Sequence, residues 1–308
     1  MSFTGIPLSA LLLLTIAPVL WGGNFVVGSA LSSDLSGIWM NVLRWLIALV
    51  VLVPLCARSA WLKRRQLFAH WRSIVVLAAL GVSGFNSLLY VALHYASVPI
   101  AAVAFACTPF MILGIVAVLD RRLPPARLVI ASAIALSGMV LAQRHALNTD
   151  VAPLGVALVV LAALTWGGYC VAIKRLPIPA PPRATFLAQV VVGLVLLLPV
   201  VAFVEPVEIH AITPREWMGL GYIGIGAGAL AFWLWNIAVP KAGSARASLF
   251  MNLVPISGII LSAVFLGETL STTEQIAIAI VCIGLMMSID WTPYRTRITP
   301  RAKSEIRS

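Results

Sequence analysis

Ten apolar runs follow one another along the chain, at residues 8–30, 36–56, 72–93, 98–119, 126–143, 153–174, 184–204, 217–239, 244–266 and 274–290. Short connections separate them, some marked by proline, as in Pro124-Pro125 and Pro177-Ile178-Pro179-Ala180-Pro181-Pro182. The runs are continuous rather than alternating, so they predict helices and not barrel strands. Most approach the roughly 20 residues a helix needs to cross hydrocarbon, where it satisfies its own backbone. The predicted fold class is therefore an all-α integral membrane protein with ten transmembrane helices, here called spans 1 to 10 in chain order.

Composition strengthens this reading. The chain of 308 residues is 61% hydrophobic and only 10% charged, against about 45–50% and about 25% in soluble domains. Its formal charge of +11 comes from short basic bursts between apolar runs, so the expected partners are the lipid bilayer and a small-molecule substrate, and not nucleic acid. Cys56, Cys107, Cys170 and Cys282 lie in or at the end of apolar runs with no CxxC pair, which suggests neither a disulfide framework nor a metal site. No basic stretch precedes the first run, which reads as a retained span rather than a cleaved leader.

Charge also predicts orientation. Of 21 lysines and arginines, 18 fall on the side of the N-terminus, in the loops after spans 2, 4, 6 and 8 and in the C-terminal tail; only Arg144 and Arg215 fall opposite, and Arg44 lies within span 2. The positive-inside rule then places both termini in the cytoplasm, with an inner (plasma) membrane location.

An internal repeat appears next. Trp21-Gly22-Gly23 in span 1 returns as Trp166-Gly167-Gly168 in span 6, and Pro54 in span 2 as Pro199 in span 7, both at an offset of 145 residues. Pro109 and Pro255, in spans 4 and 9, and Gly138 and Gly284, in spans 5 and 10, are 146 apart. The expected organisation is a first five-helix repeat over 1–147, a second over 148–292, and a basic cytoplasmic tail over 293–308. Five is odd, so the second repeat enters the membrane inverted, an architecture of secondary transporters with the substrate site between the halves.

Trp-Gly-Gly in span 1, Arg44-Trp45-Leu46-Ile47-Ala48 in span 2, the proline in span 4 and Gly267-Glu268 after span 9 resemble the drug/metabolite transporter superfamily, EamA-type, over roughly residues 8–290. The first half departs from the Gly-Glu pattern, with Asp120-Arg121-Arg122 after span 4. The resemblance implies two inverted repeats around a central cavity, and export of amino acids, other metabolites or lipophilic cations.

The residues offered to that cavity are polar or aromatic groups at bilayer depth, where lipid contact is costly. They are Trp21 and Asn24 in span 1, Arg44 in span 2, Asn86, Tyr90 and His94 in span 3, Trp166 and Tyr169 in span 6, Gln189 in span 7, Trp235 and Asn236 in span 8, and Asn252 in span 9. Arg44 has two readings: a cation awaiting a carboxylate, a phosphate or a gating contact, or a structural donor to backbone carbonyls. The paired tryptophans either stack on a substrate or pack against glycine, and the GxxxG spacing of span 8 reads as close helix packing. Pro109 and Pro255 are expected to bend spans 4 and 9 as hinges. Spans 5 and 10, nearly without polar residues at midspan, are expected outside the pathway, facing lipid or a second copy.

Every aspartate and glutamate lies near a span end, and no GxxxxGK[ST] phosphate loop occurs. No Ser/His/Asp set or cofactor motif is evident either. An enzyme and ATP drive are thus disfavoured. The expected function is secondary export of small amphipathic metabolites, chiefly amino acids with aromatic or apolar side chains, by alternating access. The alternatives are efflux of lipophilic cations and, outside transport, an intramembrane scaffold or lipid-modifying enzyme.

Overall fold

In a computed structural model of the protein, described over residues 6–31, 35–96, 98–144, 152–266 and 270–289, the ten apolar runs form ten helical spans. They are span 1 (Leu8–Leu31), span 2 (Gly37–Leu62), span 3 (Trp71–Ala92), span 4 (Ile100–Asp120), span 5 (Ala126–Ala142), span 6 (Pro153–Arg175), span 7 (Pro182–Val201), span 8 (Pro214–Ala242), span 9 (Ser244–Leu261, its helix continuing to Leu266) and span 10 (Thr272–Ser288). Spans 5 and 10 are the short ones, at 17 residues each. The expected boundary at 147/148 and the tail 293–308 lie outside the described residues, as does Gly267-Glu268.

Local chemistry sets the ends. Thr213 and Ser271 cap spans 8 and 10 in reciprocal capping boxes with Glu216 and Glu274, each satisfying backbone N–H groups that the first turn leaves open. Pro153, Pro182 and Pro214 begin spans 6, 7 and 8, where a missing N–H costs nothing. Gly243, at φ +88°, makes the sharp turn from span 8 into span 9, a conformation that glycine adopts without strain.

The halves are interlocked rather than side by side. Span 1 packs on spans 8 and 9, and its counterpart, span 6, packs on spans 3 and 4; span 2 meets spans 7 and 8, and its counterpart, span 7, meets spans 2 and 3. Each of these cross-repeat contacts therefore has an inverted twin. Spans 5 and 10 complete the pattern by pairing with each other, antiparallel. A Cβ at Gly138 would lie 2.8 Å from Ala277 O, and one at Gly284 would lie 2.7 Å from Ala131 O. The two glycines let the backbones touch. Arg127, at the start of span 5, donates to the carbonyls of Met287 and Ile289 at the end of span 10, while Arg144 donates to Thr273 (3.0 Å) at the other end. The outward faces of both helices carry exposed Ile130, Ile276 and Ile283.

Four spans are not regular α-helices. Span 3 widens to π-helix over Ala78–Gly84, and span 8 does so over Tyr222–Leu230, at equivalent places in the two halves. A π turn releases carbonyls from the helical ladder and offers them to other donors. Span 4 breaks at Cys107 between Val98–Ala106 and Thr108–Asp120, with Pro109 in the first turn after the break. Span 9 passes through a 3-10 stretch, Ser248–Asn252, just before Pro255. Both prolines thus stand immediately after an interruption, where the missing N–H is tolerated.

Candidate substrate site

Arg44 enters from the eighth position of span 2 and is only 1% exposed. Its Nη1 donates to Asn24 Oδ1 (3.3 Å), Asn86 Oδ1 (2.8 Å) and Tyr90 OH (2.7 Å), and its Nη2 donates to the carbonyl of Ala227 (3.0 Å). Tyr90 OH in turn donates to Asn24 Oδ1 (2.9 Å). The guanidinium carbon lies 5.2, 5.9 and 5.6 Å from the ring centres of Trp45, Tyr90 and Phe232. All these partners are neutral: among the described residues no carboxylate pairs with Arg44. The Nε–H, beside Gly228, has no partner. Gly224 and Gly228, one GxxxG pair, let span 8 close on span 2, so that a Cβ at Gly224 would lie 2.9 Å from Arg44 O.

The second half builds a matching cluster without charge. Tyr169 (span 6), Gln189 (span 7) and Asn236 (span 8) stand 145, 145 and 146 residues after Asn24, Arg44 and Tyr90. Tyr169 OH is 3.1 Å from Gln189 Oε1, and Asn236 Nδ2 donates to Tyr169 OH at 2.8 Å. Because the halves are inverted, the two clusters lie at opposite depths. Asn24, Arg44 and Tyr90 are near the ends of spans 1, 2 and 3 that face the lysine- and arginine-poor side, whereas the Gln189 cluster is nearer the basic side.

Aromatic rings fill the space between. Trp21 meets Trp166, Phe232 and Trp235 edge to face, with centroids 5.1, 5.3 and 5.3 Å apart. Phe85 lies against Trp166 at 4.9 Å. Such pairs add about 0.5–1.5 kcal/mol each beyond area burial. The π turns tie this centre to the halves. Trp21 Nε1 donates to Ala227 O (2.8 Å), the carbonyl that also receives Arg44; at the equivalent carbonyl, Val82 O, Trp45 Nε1 (3.1 Å) and Asn41 Nδ2 (3.1 Å) donate. Trp166 Nε1 is buried with no partner.

The expected central cavity is closed in this conformation. What remains is a space of about 10 Å³ lined by Trp21, Asn24, Arg44, Phe85, Asn86 and Trp166 among others, room for about one water. Two larger recesses approach it. On the basic side, one of about 230 Å³ runs between Lys174, Pro177 and Thr185 to Gln189 and Asn236. On the opposite side, a broad one of about 1160 Å³ is lined by Trp39, Glu205, Glu208, Arg215 and Tyr222. Packed Met40, Leu43, Leu220 and Ile223 with Tyr90 stand between that recess and Arg44.

Of the residues the sequence offered, Asn24, Arg44, Asn86 and Tyr90 form one cluster, Tyr169, Gln189 and Asn236 the other, and Trp21, Trp166 and Trp235 lie between them. His94 stands apart: it is exposed at the end of span 3, with Nδ1 3.0 Å from Tyr90 O. Asn252 is buried in the 3-10 stretch of span 9 and donates to Leu249 O (3.2 Å), with no hydrogen bond to either cluster. The carboxylate or phosphate partner considered for Arg44 is not a protein group among the described residues; neutral oxygens take its place. Sequence reasoning did not single out Trp45, Phe85 or the carbonyl of Ala227. Trp45 adjoins Arg44, and Ala227 sits in a run of alternating glycines, which were the only signals.

Inverted, interlocked halves that meet at a central site are a transporter's construction. The chain belongs to the EamA-like transporter family, whose model matches residues 8–143 and again 153–289. It is 26% identical over 282 residues to the uncharacterized transporter YwfM of Bacillus subtilis (strain 168), covering 90% of this chain and 92% of that one. It is 24% identical over 248 residues to the uncharacterized transporter YyaM of the same organism, covering 79% and 81%. A solved structure titled "Crystal structure of protein" shares the fold, with a TM-score of 0.75 and 21% identity over 95% of this chain and 99% of that chain.

Proposed function

We propose that this transporter exports small amphipathic metabolites, chiefly amino acids with aromatic or apolar side chains, by alternating access. One observation carries the reading: a sealed cation, bonded only to neutral oxygens, at the edge of an aromatic wall. An ion at this burial costs several kcal/mol, which four hydrogen bonds and three rings offset without neutralising the charge. A carboxylate arriving from outside would complete it, and the rings would receive an apolar body. Lipophilic cations fit less well, because Arg44 repels them and no buried carboxylate among the described residues would hold them. The recess that reaches Gln189 from the basic side suits entry from the cytoplasm, and the acid-bearing recess opposite suits release.

The test is counterflow into proteoliposomes preloaded with unlabelled amino acids. Accumulation of labelled aromatic or branched amino acids is expected. Movement of organic cations with no counterflow of any amino acid would overturn the reading. A reporter placed beside Arg215 should report the outer face of the plasma membrane, with both termini inside; a cytoplasmic signal there would reverse the orientation and with it the export direction.

A further inference from the structure

We propose that the Arg44 site selects an organic monoanion, a carboxylate on an aromatic or apolar body without an ammonium group, over the corresponding zwitterion and cation. The proposal rests on the reading of the chain as an alternating-access exporter of small amphipathic metabolites and departs from its amino acids: the favoured class keeps their apolar body and carboxylate and lacks their ammonium.

The site has two unfilled donors, and its side-chain acceptors are already turned toward a cation. Arg44 and Trp166 both line the closed central space, and each keeps a buried N–H, Nε and Nε1, without a partner. The oxygens that could receive an ammonium group are Asn24 Oδ1, Asn86 Oδ1 and Tyr90 OH, and all three already face the guanidinium. The buried side-chain oxygens left open among the described residues, on Asn41, Gln66 and Asn252, belong to residues that do not line this space. An α-ammonium would therefore enter beside a like charge with no anion to pair it, and a buried ion without a partner is strongly disfavoured. Ring faces offer only a partial substitute, and the guanidinium already lies over Trp45, Tyr90 and Phe232. A carboxylate without that ammonium meets the opposite situation, a fixed cation and unfilled N–H groups. Aryl and branched-chain 2-oxo acids have this chemistry.

Phenylpyruvate, phenylalanine and phenethylamine share one phenyl body and differ in charge, so they separate the possibilities. Binding is read by thermal shift of the full chain in detergent, and transport by counterflow against protein-free vesicles. Half-saturation at least tenfold lower for phenylpyruvate than for phenylalanine is expected, with no response to phenethylamine. Arg44→Gln should erase the preference. Because that variant removes a buried charge and can fail to fold, Asn86→Asp is the second: a carboxylate beside Arg44 neutralises the site and should shift preference toward phenylalanine by tenfold or more. Phenylalanine handled as well as phenylpyruvate by the unaltered protein would overturn the monoanion proposal and leave amino acid export standing. Movement of organic cations alone would overturn both.

Discussion

The clusters around Arg44 and Gln189 occupy the same three positions of the two repeats, yet one carries a charge and the other does not. Asparagine and tyrosine even exchange places: Asn24 and Tyr90 flank Arg44, while Tyr169 and Asn236 flank Gln189. Position 86, an asparagine that accepts from Arg44, corresponds to Phe232 in the second half. The backbone is thus close to symmetric and the electrostatics are not. An inverted fold by itself treats the two sides of the membrane alike; a single charge near one side makes the two halves electrostatically unequal. The 5–10 pair is the opposite case, since its reciprocal glycines make it nearly symmetric in chemistry as well as in shape.

Substitutions can break this contrast or sharpen it. The largest difference is expected between Arg44→Ala and Gln189→Ala: counterflow should fall by about 100-fold or more in the first, corresponding to roughly 3 kcal/mol, and within about tenfold in the second. Equal losses would mean that the charge is not what distinguishes the two clusters. Moving charge to the neutral side is the converse. Gln189→Arg places a second buried cation among two side chains, and a destabilisation of about 3 kcal/mol is expected from thermal unfolding in detergent; a stable variant would show that water reaches Gln189 freely. The symmetric pair should answer symmetrically. Gly138→Ala and Gly284→Ala each force a Cβ against a facing carbonyl and should each cost about 1–3 kcal/mol, within error of one another.

The paired tryptophans give the smallest and most diagnostic contrast. Trp21→Phe removes a donor from Ala227 O and should cost about 1–2 kcal/mol. Trp166→Phe loses the same ring volume but removes an N–H that bonds nothing, so it should cost about 1 kcal/mol less than Trp21→Phe, while half-saturation for substrate rises. An unchanged half-saturation in Trp166→Phe would assign that ring to packing alone.

Much of the fold was legible because hydrophobic length and charge bias act over whole spans. The repeat was legible because a few glycines and prolines, such as Gly138 and Gly284, are fixed by backbone contact. The residues of both clusters could be named, since polar groups at bilayer depth are few. Their bonding could not. The principal acceptor for Arg44 and Trp21 is a backbone oxygen, Ala227 O, which every residue possesses and no letter distinguishes. The π turns are similarly silent: their hydropathy is that of any span, and only a density of glycine in span 8 hinted at them. His94 shows the reverse error. The i, i+4 spacing from Tyr90 set it on the polar stripe, but the helix ends there and leaves it in the open.

One consequence of the 5–10 pair concerns the bilayer itself. A helix of 17 residues reaches about 25 Å, several ångströms short of a hydrocarbon layer about 30 Å thick. Lipid beside the pair must thin, at fractions of a kcal/mol per ångström of mismatch. Tilting would shorten the reach of the pair further, and Arg127 and Arg144 hold the two helices together at both ends. Membrane thickness therefore acts on the molecule through this edge, and transport in vesicles of increasing acyl-chain length should fall as the bilayer thickens; rates independent of chain length would show that the edge is insensitive to it.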